Sequence, residues 1–320
     1  MPQVAFVPLT GFRVREQAML ELGMSLPGLR DRGAAIAALP ALGPLTLAGL
    51  TPPSWHWTYH DTPAVTDALL GEMETLRPDL VAVSALTASA LEAYHLGDEL
   101  RRRGLRCVLG GLHATACPDE AATHFDAVVA GEGEPVWHQV LADTLQGQLQ
   151  PIYRPSQTFD LNFSPLPRFD LLPGRRPRFT VQTQRGCPLA CEFCGASRLL
   201  GAFREKPADR VRAEVQSLAA LHPRPVLELA DDNTFAGNRD PVPLLDALSS
   251  VGARWFTECD WRIGERPELL ARLAAAGCVQ VLVGFESPVF RHPGMGPKIA
   301  QRERLYDAVR AIQEAGIAVL

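Results

Sequence analysis

The sequence predicts an α/β protein in two parts, a doubly wound parallel sheet followed by a partial β/α barrel of the triose-isomerase type. Three observations predict it. Short, continuously apolar runs alternate with segments of helical period along most of the chain, the pattern of parallel strands covered on both faces. The alternation breaks once, over residues 148–178, where Pro151, Pro155, Pro165, Pro167, Pro173 and Pro177 stand without a hydrophobic period. At 320 residues, 47% of them hydrophobic, the chain is long enough to bury two cores.

The first series runs from residue 4. Residues 4–8 form an apolar strand. Trp55, His56, Trp57, Tyr59 and His60 make an aromatic and imidazole cluster that reads as core packing or a capped loop. A helix follows over 63–76, a buried strand over 80–84, and a helix over 89–103 that Gly104 stops. Residues 107–111 are a strand ending in paired glycines, and residues 127–130 a strand running into Gly131-Glu132-Gly133-Glu134. Residues 1–147 are therefore the first domain. In doubly wound sheets ligands sit beyond the carboxyl ends of the strands, where Ser84-Ala85-Leu86 and Gly110-Gly111 fall, and glycine there lets a ligand approach the backbone. Proline at the density of residues 148–178 stiffens a linker and forbids regular elements, so this stretch is the expected boundary.

The second series occupies residues 179–320. Strands are expected over 179–184, 226–230, 254–258, 279–284 and from 317, with helices over 207–221, 240–251, 267–276 and 302–315. Barrels of this kind carry their active sites at the carboxyl ends of the strands. There the first strand delivers three thiols, the second Asp231-Asp232-Asn233, the third Glu258 and Asp260, and the fourth Glu286 and Ser287. One acidic residue at a strand end is often a helix cap. Four successive strands with polar groups on one rim make a site.

Cys187, Cys191 and Cys194 stand at C-x-x-x-C-x-x-C spacing. One short loop can offer three thiolates, a soft ligand set suited to iron–sulfur chemistry. Three ligands leave a coordination position open, which separates catalytic from structural metal sites. A zinc knuckle would need a fourth ligand, and within about twenty residues of Cys194 no Cys or His stands in a paired spacing. Cys259 and Cys278 read as buried small hydrophobes.

Bulk properties narrow the function classes. A net charge of −5, from 31 Lys+Arg against 36 Asp+Glu, supplies no basic field for nucleic acid or an anionic membrane. Seven cysteines, an odd number in a chain of this size, indicate a reducing compartment rather than a disulfide framework. Residues 1–10 lack the features of a signal peptide. The uncharged run at 33–50 is broken by Pro40, Gly43 and Pro44 and reads as buried loop and helix, not a membrane span. A cytoplasmic protein without membrane or nucleic-acid partners is expected.

The cysteine loop resembles that of the radical S-adenosylmethionine enzymes. The resemblance implies that Cys187, Cys191 and Cys194 hold a four-iron four-sulfur (4Fe-4S) cluster whose fourth iron is chelated by the amino and carboxylate groups of S-adenosylmethionine. It also implies that Phe193 lies with its backbone near the adenine. Asp231 and Asp232, in a stretch similar to the family's acidic one, fall where the methionine amino group is contacted. Gly284, Glu286 and Ser287, in Val283-Gly284-Phe285-Glu286-Ser287, resemble the stretch that reaches the ribose.

The first domain is similar to the cobalamin-binding domain of one large subgroup, whose motif has the parts D-x-H-x-x-G, S-x-L and G-G. Ser84-Ala85-Leu86 matches the second, including Leu86, and Gly110-Gly111 the third. The first is absent, since Tyr59-His60-Asp61 lies near its place in the wrong order. Cobalamin would then bind without a histidine on cobalt. Gly111-Leu112-His113-Ala114-Thr115 and Gly131-Glu132-Gly133-Glu134 also resemble the subgroup. The alternative is a degenerate domain that keeps only the shape, because glycine pairs after strands are common turn punctuation.

The function implied is reductive cleavage of S-adenosylmethionine to a 5′-deoxyadenosyl radical. That radical abstracts hydrogen from an unactivated carbon, with cobalamin-assisted methyl transfer to a small-molecule substrate. The electron donor would be a protein such as flavodoxin or ferredoxin. Because the sequence ends at Leu320 inside a fifth strand, where the family barrel has six, a truncated frame or completion by another chain is expected. The alternative is a non-catalytic iron–sulfur-binding homologue or partner subunit. A methylthiotransferase would want three more cysteines in the first domain, which has only Cys107 and Cys117. Lipid, tetrapyrrole, antibiotic-precursor and peptide substrates stay open, and no catalytic acid or base is assigned.

Overall fold

The computed structural model describes residues 1–9, 39–174, 176, 178–189, 191–195, 199–284 and 302–320. The chain divides into two compact units, Met1–Phe159 with Pro165–Pro177, and Asp160–Ser164 with Arg178–Leu320. Both are α/β.

In the first unit, β1 (Gln3–Pro8), β2 (His56–Tyr59), β3 (Leu80–Ser84), β4 (Cys107–Gly110), β5 (Ala127–Val129) and β6 (Ile152–Tyr153) form one sheet in the order β2-β1-β3-β4-β5-β6. Every pairing is parallel. The side-chain period of two sends alternate residues to opposite faces. Ala5, Val7, Val81, Val83, Cys107, Leu109 and Val128 join one buried cluster, and Val4, Phe6, Leu80, Ala82, Val108, Ala127 and Val129 join the other. Helices α2 (Asp67–Leu76), α3 (Ala90–Arg102), α4 (Leu112–Ala116) and α5 (Pro118–Ala121) contribute to the first cluster, while α1 (Leu42–Leu50) and α6 (Trp137–Gln146) contribute to the second. The apolar runs thus read correctly as strands of a sheet wound on both sides.

Three details differ from expectation. Helix α2 starts at Asp67 rather than residue 63, because Thr66 caps it by accepting from the Leu69 N–H. The aromatic run packs on the core as expected, Trp55 inside the second cluster and Trp57 and Tyr59 against it, but it is no capped loop: His56–Tyr59 is an edge strand pairing with β1. The proline-rich segment also carries a regular element, since β6 lies between Pro151 and Pro155. An edge strand bonds on one side only, so flanking prolines cost it nothing there. Val128 N donates to Pro151 O and Ala130 N to Tyr153 O.

The order in which strands are added reverses at β1 and β3, because the chain places β2 on one side of β1 and β3 on the other. Ser84 pairs with Pro8 and with Gly110 at this point, so the expected ligand-binding residues stand at the carboxyl ends beside the switch.

In the second unit, β7 (Phe179–Val181), β10 (Val226–Leu229), β11 (Arg254–Asp260), β12 (Cys278–Gly284) and β13 (Ala318–Val319) are parallel neighbours in chain order. Helices α7 (Ala208–Leu221), α8 (Val242–Ser249), α9 (Pro267–Ala275) and α10 (Arg302–Glu314) alternate with them. Val181, Leu227, Leu229, Trp255 and Val281 are buried, as are Leu218, Leu248, Leu273 and Ile312 on the four helices. Thr180, Glu228, Glu258, Gln280 and Leu282 occupy the alternate, more open positions.

The first strand of this unit is shorter than expected. It ends at Val181, and β8 (Gln184–Arg185) pairs antiparallel with β9 (Arg204–Glu205), so the three cysteines lie in the connection of a small ribbon.

Gly277 closes α9 at φ +92°, and a Cβ there would lie 2.3 Å from the Ala253 carbonyl oxygen. Gly277→Ala is expected to destabilise this unit by about 1–3 kcal/mol. Urea unfolding checks it, as a lower midpoint at unchanged slope.

Candidate functional site

The cysteine loop is anchored by one carboxyl group. Asp231, at the end of β10, is 3% exposed. It accepts from Thr183 N at 2.8 Å, Thr183 Oγ1 at 2.5 Å, Gln184 N at 3.1 Å and Thr234 Oγ1 at 3.0 Å. These bonds fasten the chain between β7 and β8 to the neighbouring strand. Burial pushes the Asp231 carboxyl above the usual range, and its hydrogen bonds pull it back. Gly186 then turns into the loop at φ +76°, where a Cβ would come within 3.0 Å of the Gly201 carbonyl oxygen. Only glycine fits this approach without strain.

The other leg of the loop is fastened as firmly. Lys206 and Glu214 form an ion pair at 2.6 Å, with side chains 6% and 2% exposed. Lys206 N donates to Thr183 O at 2.8 Å, and Arg239 donates to Lys206 O and Thr183 Oγ1 and pairs with Glu205. A buried charge pair of this kind is costly to break from one side. The sequence reading passed over Lys206, whose one signal was its position at the return of the loop, before a helix.

Between these anchors stand the thiols. Cys191 is buried, while Cys187 and Cys194 are partly exposed. The Leu189 N–H points at Cys187 Sγ from 3.4 Å and the Asn233 Nδ2 from 3.7 Å. Asp260, at the end of β11, donates its N–H to Asn233 Oδ1 and holds Arg262 through Nε at 2.6 Å and Nη2 at 2.8 Å. Asp260 above all, with Glu265 and then Cys191, raises the Arg262 guanidinium above its ordinary value against the opposing effect of burial. The donor set fits a thiolate-bound cluster: three sulfurs on one loop, with N–H groups aimed at one of them. Among the described residues no three His, Cys, Asp or Glu side chains gather as they would around a single ion.

The remaining expected residues fall in different places. Phe193 is 53% exposed. Asp232 is half-buried and stands outside the bonds that tie up Asp231; burial first, and then Asp231, raise its carboxyl. Gly284 pairs with Asp260 at the end of β12. Glu286 and Ser287 lie outside the described residues. Cys259 and Cys278 are buried, and burial pushes the Cys278 thiol up to about 12. Cys107 is fully buried in the first unit, with its thiol also raised by burial.

One carboxylate escaped the sequence reading. Glu228 of β10 occupies the alternate face with Glu258, and its Oε2 is buried without a hydrogen-bond partner. Burial, and then Glu258, raise its pKa from 4.5 to about 7, against the opposing charge of Arg178. The only sequence signal was a charged residue inside an otherwise apolar strand.

In the first unit Gly111 takes φ +101°, and a Cβ there would meet the Ala85 carbonyl oxygen at 2.8 Å and Ser84 Oγ at 3.2 Å. The paired glycines and Ser84-Ala85-Leu86 are thus one packed surface. Gly110 has nothing within 4 Å of its Cβ position, and Leu86 is 56% exposed. Thr115 accepts from Gly131 N and donates to Gly111 O, joining the ends of β4 and β5. His113 is buried, its Nε2 2.6 Å from Tyr94 Oη and its Nδ1 without a partner. An open glycine, an exposed leucine and an orphaned imidazole nitrogen at or just after the carboxyl ends of β3 and β4 fit a large, partly apolar cofactor such as cobalamin.

Three outcomes are expected. Asp231→Ala leaves several buried donors without an acceptor and should cost about 3 kcal/mol or more in thermal unfolding, with loss of bound iron after reconstitution. Glu228 binds its proton more tightly folded than unfolded, so its support for folding is full below pH 4.5 and is lost as pH rises towards 7. Glu228→Gln should therefore gain stability over the parent between about pH 5 and 8 in denaturation series. Gly110→Leu should leave folding unchanged within about 0.5 kcal/mol while weakening cobalamin binding roughly tenfold or more in absorbance titrations.

Comparison with known proteins gives matches for both halves of the chain. The B12 binding domain family matches residues 38–141 and the Radical SAM superfamily matches residues 181–320. Bacteriochlorophyllide d C-12(1)-methyltransferase of Chlorobaculum tepidum is 28% identical over 65% of this chain and 48% of its own length. An uncharacterized methyltransferase of Synechocystis is 29% identical over 87% of this chain and 53% of its own. The structure of OxsB, a cobalamin-dependent S-adenosylmethionine radical enzyme with aqua-cobalamin and S-adenosylmethionine bound, superposes with a TM-score of 0.74 at 16% identity. It covers 100% of this chain and 48% of that one, a likeness of fold. The chain thus spans about half the length of these relatives. The chain thus carries a B12 binding domain followed by a Radical SAM domain, the domain order that cobalamin-dependent radical S-adenosylmethionine enzymes have.

Proposed function

We propose that this chain is the cofactor-holding part of a cobalamin-dependent radical S-adenosylmethionine methyltransferase acting on an unactivated carbon of a small molecule. The observation that carries the reading is the loop between β8 and β9. Three thiols of soft-ligand spacing are fastened there at the carboxyl end of a parallel sheet, with N–H donors turned towards a sulfur.

In this reading Cys187, Cys191 and Cys194 hold the 4Fe-4S cluster. Asp231 fixes the loop, since its oxygens are taken by its own chain, and Asp232 beside it accepts from the methionine amino group. Phe193 and Gly284, with Glu286 and Ser287, complete the S-adenosylmethionine contacts. Ser84, Leu86, Gly110 and Gly111 seat cobalamin on the first unit. When bound, these groups supply a 5′-deoxyadenosyl radical and a transferable methyl group, and the protein's part is to position them and keep out water and oxygen.

Electrons would come from a small donor such as flavodoxin or ferredoxin, and the protein would work in the cytoplasm. Among the described residues no helix is long and apolar enough to cross a membrane. The bacteriochlorophyllide-named relative supports a tetrapyrrole among the candidate substrates.

Anaerobic reconstitution with iron and sulfide, followed by S-adenosylmethionine and dithionite, should yield 5′-deoxyadenosine. Replacing Cys187, Cys191 or Cys194 by alanine should abolish both the brown absorbance and the product. A chain that carries a full cluster and yet releases no 5′-deoxyadenosine would overturn the proposal.

A further inference from the structure

Asn233 is the side chain on which three strand ends converge. It is 3% exposed, and its hydrogen-bonding groups point in three directions. Its Oδ1 accepts from Asp260 N at 2.8 Å, its backbone oxygen accepts from Gln184 Nε2 at 2.9 Å, and its Nδ2 lies 3.7 Å from Cys187 Sγ. An amide can be built either way round, and only its partners decide which. Here they decide it, because the oxygen must face the Asp260 N–H. The nitrogen, which can only donate, is left facing sulfur.

Leu189 N, 3.4 Å from the same Sγ, adds a second donor. The two differ in origin. The Leu189 N–H follows from the turn of the loop itself, whereas the Asn233 donor is brought from another strand and locked by a third. Hydrogen bonds to ligand sulfur draw off negative charge and stabilise the more negative, reduced form of an iron–sulfur cluster, raising its potential. A protein that passes an electron from the cluster gains control of that step through such a bond.

We propose that Asn233 is a tuning residue, which sets the reduction potential of the cluster by donating its side-chain N–H to the Cys187 thiolate. The inference rests on the cluster reading above and adds a role for a residue that touches neither iron nor substrate. It differs from a structural role, in which Asn233 serves only to hold the Asp260 backbone.

Asn233→Asp separates the two, because it keeps the acceptor for Asp260 N and the side-chain shape while replacing the donor by an oxygen. The reconstituted variant is expected to retain its iron. Its midpoint potential in an EPR-monitored titration should fall by the equivalent of about tenfold in the reduction equilibrium, about 59 mV for one electron. The Fe–S(Cys) stretches in resonance Raman spectra should rise. In the parent, labelled with 15N in asparagine side chains, pulsed EPR of the reduced cluster should show a nitrogen coupling. Full iron with unchanged potential in Asn233→Asp overturns the inference. So does absence of that coupling in the parent, whether or not the variant folds. A parent that assembles no cluster overturns the cluster reading, and this inference with it.

Discussion

The second unit depends on a carboxyl group held where water cannot reach it. Taking Asp231 out of water costs several kcal/mol, and four short hydrogen bonds of about 1.5–3 kcal/mol each to a charged acceptor offset it only if all are made together. All four come from residues next to the cysteine loop or on the turn after β10. The loop is therefore tied to the sheet through one group whose satisfaction is all or nothing. That is a suitable anchor for three thiols that would have to keep their positions around a cluster. Lys206 and Glu214 do the same for the returning leg, at similar depth.

From this anchor the site builds outward by shared partners. Asp231 accepts from Thr234, the Thr234 and Thr257 hydroxyls are hydrogen-bonded at 2.6 Å, and Asn233 accepts from Asp260, which binds Arg262. Strands β10 and β11 thus deliver the surroundings of Cys187 through side chains that also hold one another. A parallel sheet permits this because its carboxyl ends lie on one rim, so residues far apart in sequence become neighbours there. In the first unit the same rule works with backbone in place of carboxylates: Gly111 closes against Ala85, and Thr115 joins β4 to β5.

Much of this was legible from sequence because it is local. Apolar runs of four to six residues become parallel strands wherever they stand between helical segments, and the two faces of the first sheet follow from alternation alone. Cysteine spacing is local too. The readings that went astray depend on neighbours distant in the chain. Residues 56–59 form a strand because β1 offers an edge, and residues 152–153 do so because β5 does. Proline density could not forecast this, since an edge strand needs only half of its hydrogen bonds.

What the sequence alone determined is the layering of each unit and the placing of three thiols on one short loop, because both follow from residues close together in the chain. Tertiary structure decided which polar residue does what. Asp231 and Asp232 are adjacent and chemically identical, yet one is consumed as an anchor and the other stays at the edge. Asn233, the third member of the run, faces a cysteine sulfur. The physical reason is that a side chain's role is set by which donors and acceptors surround it in space, and those come from strands that pair only once the sheet has formed.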